Sequence, residues 1–127
     1  MVDVVMGTDP TASLVARKLL DVQALRHDAI AANIANAVTP GYKRVDLDPD
    51  FDAQLKDAVQ KHDRQAIKNL TPTIVEDRSA KAVRPDGNTV VLEKELMIDN
   101  QTAVNYDFLD QYLSMHIQQM QQAARSN

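Results

Sequence analysis

The chain has 127 residues, 44% of them hydrophobic, and a formal net charge of −4 at pH 7. That length bounds it to one domain, and the acidic balance excludes the basic field that nucleic acid or an anionic membrane surface requires. The absence of cysteine excludes disulfides, thiolate metal sites and a cysteine nucleophile, while 4% aromatics and no tryptophan suit helix seams better than a wide core.

The chain opens on Met1-Val-Asp-Val-Val-Met-Gly7. An aspartate stands where a secretory signal carries positive charge, and the apolar run is short, so no cleaved signal peptide is expected. Thr8-Asp9-Pro10 reads as a helix start, with Asp9 at the cap and Pro10 at the first helical position. Ala12, Val15, Leu19, Val22, Leu25, Ala29 and Ala32 then recur at three- and four-residue steps. This spacing predicts a helix over 10–37, about 40 Å long, whose narrow stripe (Val15, Leu19, Val22) is a helix-pairing seam. Its end is rich in alanine, so a neighbouring backbone can approach closely. Thr39-Pro40-Gly41-Tyr42 stops it, since proline moves the preceding residue out of the α region and glycine supplies positive φ.

Asp48-Pro49-Asp50-Phe51 predicts a second capped start and a helix over 49–61 with Phe51, Leu55 and Val59 on one face. Residues 62–86 show no sustained period. One short strand within 70–75 and a loop over 79–85 are expected, in a middle that is mobile in the free protein. After the turn Pro85-Asp86-Gly87-Asn88, the segment 92–124 contains neither glycine nor proline. Leu109, Leu113, Ile117 and Met120 form its seam, and Glu93 and Glu95 complement the helix dipole. No apolar run approaches the roughly 18–20 residues needed to cross a bilayer. The expected fold is mainly all-α: long N- and C-terminal helices packed as an antiparallel coiled-coil pair. Residues 1–44 and 87–127 form that pair, and 45–86 supply a short helix and an irregular, mobile middle.

Chemistry is sparse. Asp46-Leu-Asp48-Pro-Asp50-Phe-Asp52, with Asp57 at position twelve, imitates a calcium loop but has Phe51 where glycine is needed and aspartate where the bidentate glutamate belongs. Those carboxylates read as solvated helix caps. His27, His62 and His116 match no zinc spacing, although antiparallel pairing of the long helices could bring His27 to His116. No serine sits in a nucleophile elbow, and three glycines build no phosphate cradle. Neither catalysis nor a cofactor is expected.

Ala32-Asn33-Ile34-Ala35-Asn36 followed by Thr39-Pro40-Gly41-Tyr42 resembles the N-terminal motif of bacterial flagellar axial proteins. The continuation Lys43-Arg44-Val45-Asp46-Leu47-Asp48 resembles the proximal-rod branch of that family. Arg84-Pro85-Asp86-Gly87-Asn88-Thr89-Val90 and Leu92-Glu93-Lys94-Glu95 are similar to the segment opening the family's C-terminal helix, and Asn100 and Tyr106 fall where its Asn and Tyr stand. The resemblance implies a structural subunit of the basal-body rod in the periplasm, exported by the flagellar type III apparatus. Its implied partners are rod subunits, further copies of itself, and the membrane ring with its adaptor. It implies neither nucleic acid nor membrane insertion. Asn33, Asn36, Thr39, Pro40, Gly41 and Tyr42 would then be the assembly motif. Another axial subunit, or a soluble helical adaptor, is the alternative reading.

Overall fold

The structure, a computed structural model, describes residues 10–125; the expected cap Asp9 and the segment 1–7 lie outside the described residues. Helix α1, Pro10–Ala35, has 26 residues, which makes it about 39 Å long. It begins on a proline, whose missing N–H is one of those a first turn leaves unbonded anyway. It ends two residues before the apolar period suggests. There the Ala37 N–H turns back to the Ile34 carbonyl at 3.2 Å, tightening the last turn. The other long helix, Leu92–Arg125, has 34 residues and is labelled α4 below.

The two long helices pack against each other and run antiparallel. Asn33 meets Glu95 at one end, His27 meets Asp99 further along, and Pro10 and Ser13 lie beside Gln119 and Ala123 at the other. This register corrects the expected meeting of His27 with His116. His27 Nδ1 lies 2.8 Å from Asp99 Oδ1, whereas His116 stacks on Tyr112 and borders Pro10, Ser13 and Arg17. No helix among the described residues is long and apolar enough to cross a membrane.

The middle holds the short helix expected over 49–61 and is otherwise more regular than expected. It contains β1 (Val45–Leu47), α2 (Pro49–Gln60), α3 (Arg64–Asn69) and β2 (Ile74–Glu76). The strands pair antiparallel, with Asp46 opposite Val75. Asp48 caps α2 by accepting from the Asp50 N–H at 3.0 Å, and Asp63 caps α3 by accepting from Ala66 at 3.0 Å. At the far end of α3, Lys18 Nζ reaches from α1 to the carbonyls of Lys68 (3.1 Å) and Leu70 (2.7 Å). That position suits a cation, because the last carbonyls of a helix carry partial negative charge.

These elements build the main core. Val22, Phe51, Leu55, Ala58 and Ile67 cluster without solvent, and Leu14, Val15, Leu19 and Leu70 pack around them. The stripe Val15–Leu19–Val22 is therefore shared. Val22 faces the middle helices, and Val15 and Leu19 also border Leu109 and Tyr112 of α4. A stripe read from one helix gives the buried side and does not say which of two neighbours covers it.

Candidate functional site: an assembly joint

The segment that follows α1 and the segment that precedes α4 fold into one knot. Its first half is the turn Thr39–Tyr42. The Tyr42 N–H reaches the Thr39 carbonyl at 3.2 Å, and Gly41 at the third position has φ +72°, a value that disfavours any residue with a side chain. Asn36 braces the helix end: its Nδ2 donates to the Ala32 carbonyl at 2.9 Å, and its Oδ1 accepts from the Thr39 hydroxyl at 3.1 Å. Pro40 is exposed and sets the turn through its fixed φ.

Asn33 joins α1 to β1. Its carboxamide accepts from the Val45 N–H and donates to the Val45 carbonyl, both at 2.9 Å. A completely buried side chain thus imitates a neighbouring strand. The same Nδ2 lies 3.2 Å from Glu95 Oε2, and the Tyr42 hydroxyl approaches Asn33 Oδ1 at 3.4 Å. Buried amides require such partners, since an unmet donor or acceptor costs about 1–3 kcal/mol.

The second half is supplied from some fifty residues away. Asn88, with no exposed surface, aims Nδ2 at the carbonyls of Asn36 (3.0 Å), Ala37 (3.2 Å) and Thr39 (2.8 Å). Arg84 also donates to the Ala37 carbonyl. The carbonyls of the turn that follows α1 are thereby met by side chains of the other motif. Backbone and side chain tie the halves further. The Thr89 N–H reaches the Tyr42 carbonyl at 3.0 Å, the Arg44 N–H reaches Thr89 Oγ1 at 2.8 Å, and Lys43 Nζ reaches the Gly87 carbonyl at 2.7 Å.

At the centre, Arg44 meets Glu95 (Nε to Oε1, 2.7 Å), Asp77 (2.5 Å) and Asp46 (3.3 Å). The Arg44 side chain is 10% exposed and that of Glu95 1%. Burial pulls the guanidinium pKa down, but its hydrogen bonds to Glu95 and Asp77 and the charges of Glu95 and Asp46 outweigh it and raise it. Asp77 is held below the usual carboxylate range, first by the Ser79 hydroxyl, against the opposing effect of burial, and then by hydrogen bonds from Arg44 and the Ser79 N–H and by the charge of Arg44. An ion pair this dry depends on its geometry, because desolvating both charges costs several kcal/mol each.

The knot brings together Asn33, Asn36, Thr39, Gly41 and Tyr42 from the expected motif. The predicted C-terminal seam is less uniform: Leu113 is buried and Leu109 half-buried, but Ile117 is 46% and Met120 60% exposed. Ala29 is buried, but Ala31, Ala32 and Ala35 are exposed, so no helix among the described residues covers that part of the alanine face. The aspartates of the calcium-like run have separate partners: Asp46 takes Arg26 and Arg44, Asp48 caps α2, and Asp57 pairs with Lys61. Sequence reasoning missed Arg44, Asp77, Asn88, Thr89 and Glu95 as site residues. Asp77 has no sequence signal, but the other four stand inside the two motifs whose resemblance was noted, and their pairing was the signal available.

Residues 20–43, the second half of α1 and its turn, match the sequence model of the family described as flagella basal body rod protein. Over 126 aligned positions the chain is 31% identical to flagellar basal body rod protein FlgB of Escherichia coli (strain K12), covering 87% of this chain and 90% of that protein. The FlgB of Shigella flexneri gives the same identity and coverage. The chain belongs to the flagellar basal body rod proteins. The knot is a candidate joint, and membership makes this chain a structural subunit of the proximal rod. The matched stretch ends at Lys43, inside that joint.

Proposed function

We propose that the chain polymerises with other axial subunits and with copies of itself into a periplasm-spanning tube that transmits torque and encloses an export channel. The observation that carries this reading is an uncovered apolar face on α4: Val104 is 66%, Phe108 69% and Met115 58% exposed. Contiguous apolar surface of this kind marks an interaction site, and its burial stabilises contact by roughly 25 cal/mol per Å². In the assembled tube α1 and α4 pair along their seams as a coiled coil, and neighbouring subunits cover the second face. Head-to-tail contact of this sort is heterologous and open-ended, as growth of a filament demands. The joint built on Asn33, Asn36, Thr39, Pro40, Gly41 and Tyr42 fixes the angle at which the middle elements project. The membrane ring with its adaptor adjoins one end, and the flagellar export apparatus delivers the chain without a cleaved signal. The work is mechanical and uses neither a cofactor nor catalysis.

Complementation tests this. In a strain lacking its own subunit, the wild-type chain restores swimming, and Gly41→Val abolishes it at an unchanged protein level. Failure of the wild type to restore swimming contradicts the rod reading; normal swimming by the variant contradicts the joint.

A further inference from the structure

The loop 77–83 and the first turns of α4 enclose a cleft of about 430 Å³ beside the joint, within the range of clefts that hold one ligand group, about 300–1,000 Å³. Its wall is fixed: the Val83 N–H reaches the Asn88 carbonyl at 3.2 Å, and the Ala80 N–H reaches the Asp77 carbonyl at 3.3 Å. Ala80, Val83, Val91 and Ile98 make the lining largely apolar, and Val83 is 53% exposed. The charges in the floor are settled, because Arg44 meets both Glu95 and Asp77. Those of Lys81 and Lys94 are not: both line the cleft, both are exposed, and neither has an acidic partner among the described residues. An apolar cleft with two unanswered cations fits an aromatic side chain accompanied by carboxylates.

The chain presents that combination elsewhere on its own surface. Tyr106 of α4 is 43% exposed. Asp110 follows it by four residues, on the same face of the helix, and Asp107 adjoins it. Both carboxylates are exposed and have no cationic partner among the described residues. At 3.6 residues per turn and 1.5 Å per residue, Asp107 lies about 140° around α4 from Lys94 and about 20 Å along it. The two surfaces therefore stand on different flanks, and a chain cannot bring its own Tyr106 to its own cleft.

We propose that the cleft of one copy receives Tyr106 of a second copy, with Lys81 and Lys94 meeting Asp107 and Asp110. The proposal rests on the rod reading, which calls for contact between copies, and it names the surfaces that make one such contact. A tyrosine ring brings apolar area at small cost in side-chain entropy, and its hydroxyl stays at the wet edge of the cleft. The two pairs of opposite charge fix the orientation in which the ring enters. One partner covers only one of the two flanks. Each docked copy thus leaves its other flank open, and the contact runs head to tail as an open-ended assembly requires.

The test uses the purified full-length chain at low ionic strength, so it does not depend on a rod being built. Resonances of Val83, Ile98 and Tyr106 are followed by NMR as protein concentration rises. They are expected to move together, and added salt is expected to weaken the response. Two charge-reversed chains are then compared, one with Lys81→Glu and Lys94→Glu, the other with Asp107→Lys and Asp110→Lys. Alone, each is expected to self-associate at least several-fold more weakly than the wild type. Mixed in equal amounts, they are expected to recover the wild-type response, because the reversed cleft of one now matches the reversed flank of the other. All four side chains are exposed, so the dilute spectra should otherwise be unchanged. The proposal is overturned by a wild-type spectrum that does not change with concentration, by changes confined to other surfaces, or by a mixture that recovers nothing. Wild-type complementation of swimming judges the rod reading separately, and that result is unaffected by any of these outcomes.

Discussion

Arg44 and Glu95 form the least exposed charge pair of the joint, at 10% and 1% side-chain exposure. Removing one member leaves the other buried without its partner, which costs about 3–5 kcal/mol. Glu95→Ala is therefore expected to lower unfolding free energy by about that amount in urea titrations, a larger effect than any single surface change. Asp77 gives the joint a pH signature. Its pKa lies below the ordinary aspartate value, so its ionised form stabilises the fold at neutral pH. That contribution is present above the ordinary value and is lost as pH falls through the lowered one. Urea titrations at pH 7 and at pH 3 should show Asp77→Asn losing about 1–2 kcal/mol at the higher pH and much less at the lower. The turn residues Asn36, Thr39, Pro40 and Gly41 were legible because proline and glycine state their backbone demands in one dimension. Asn88 and Glu95 were not legible as site residues: Asn88 reads as a turn residue and Glu95 as a first-turn acid until the fold places them against residues some fifty positions earlier.

Among the elements, the long helices and α2 were legible, and α3 and β1 were not. Helices α1 and α4 each contain enough turns for a 3.6-residue period to emerge, and both were expected to within two residues at each described end. Six-residue α3 and three-residue β1 cannot show a period. Helix α3 exists because Asp63 caps it, Lys18 meets its last carbonyls and Ile67 is completely buried. Strand β1 exists because Asn33 pairs with Val45 on one edge and β2 pairs on the other. Tertiary contact, more than local propensity, decides both. Ile67→Ala is accordingly expected to destabilise the protein by about 2–5 kcal/mol in thermal or urea unfolding, because the cavity would lie in the main cluster between α1, α2 and α3. A loss below about 1 kcal/mol would mean that the middle elements pack loosely and contribute little to the core.

At the scale of the molecule, two regions divide the work. A closed joint with buried polar partners fixes the path of the chain, and an open apolar face on α4 is left for neighbours. Folding and assembly should then respond to different substitutions. Phe108→Asp with Met115→Asp adds charge to side chains that are 69% and 58% exposed, so the free protein should keep its stability within about 0.5 kcal/mol. In the assembled rod the same charges would be buried without partners, a much greater cost. The decisive measurement is the amount of tagged chain in detergent-extracted hook–basal-body complexes, for the wild type and for this double variant at matched cellular levels. The wild-type chain should co-purify as a fixed component, and the folded double variant should be absent. A wild-type chain missing from the complexes, or a double variant incorporated at the wild-type level, would contradict the account.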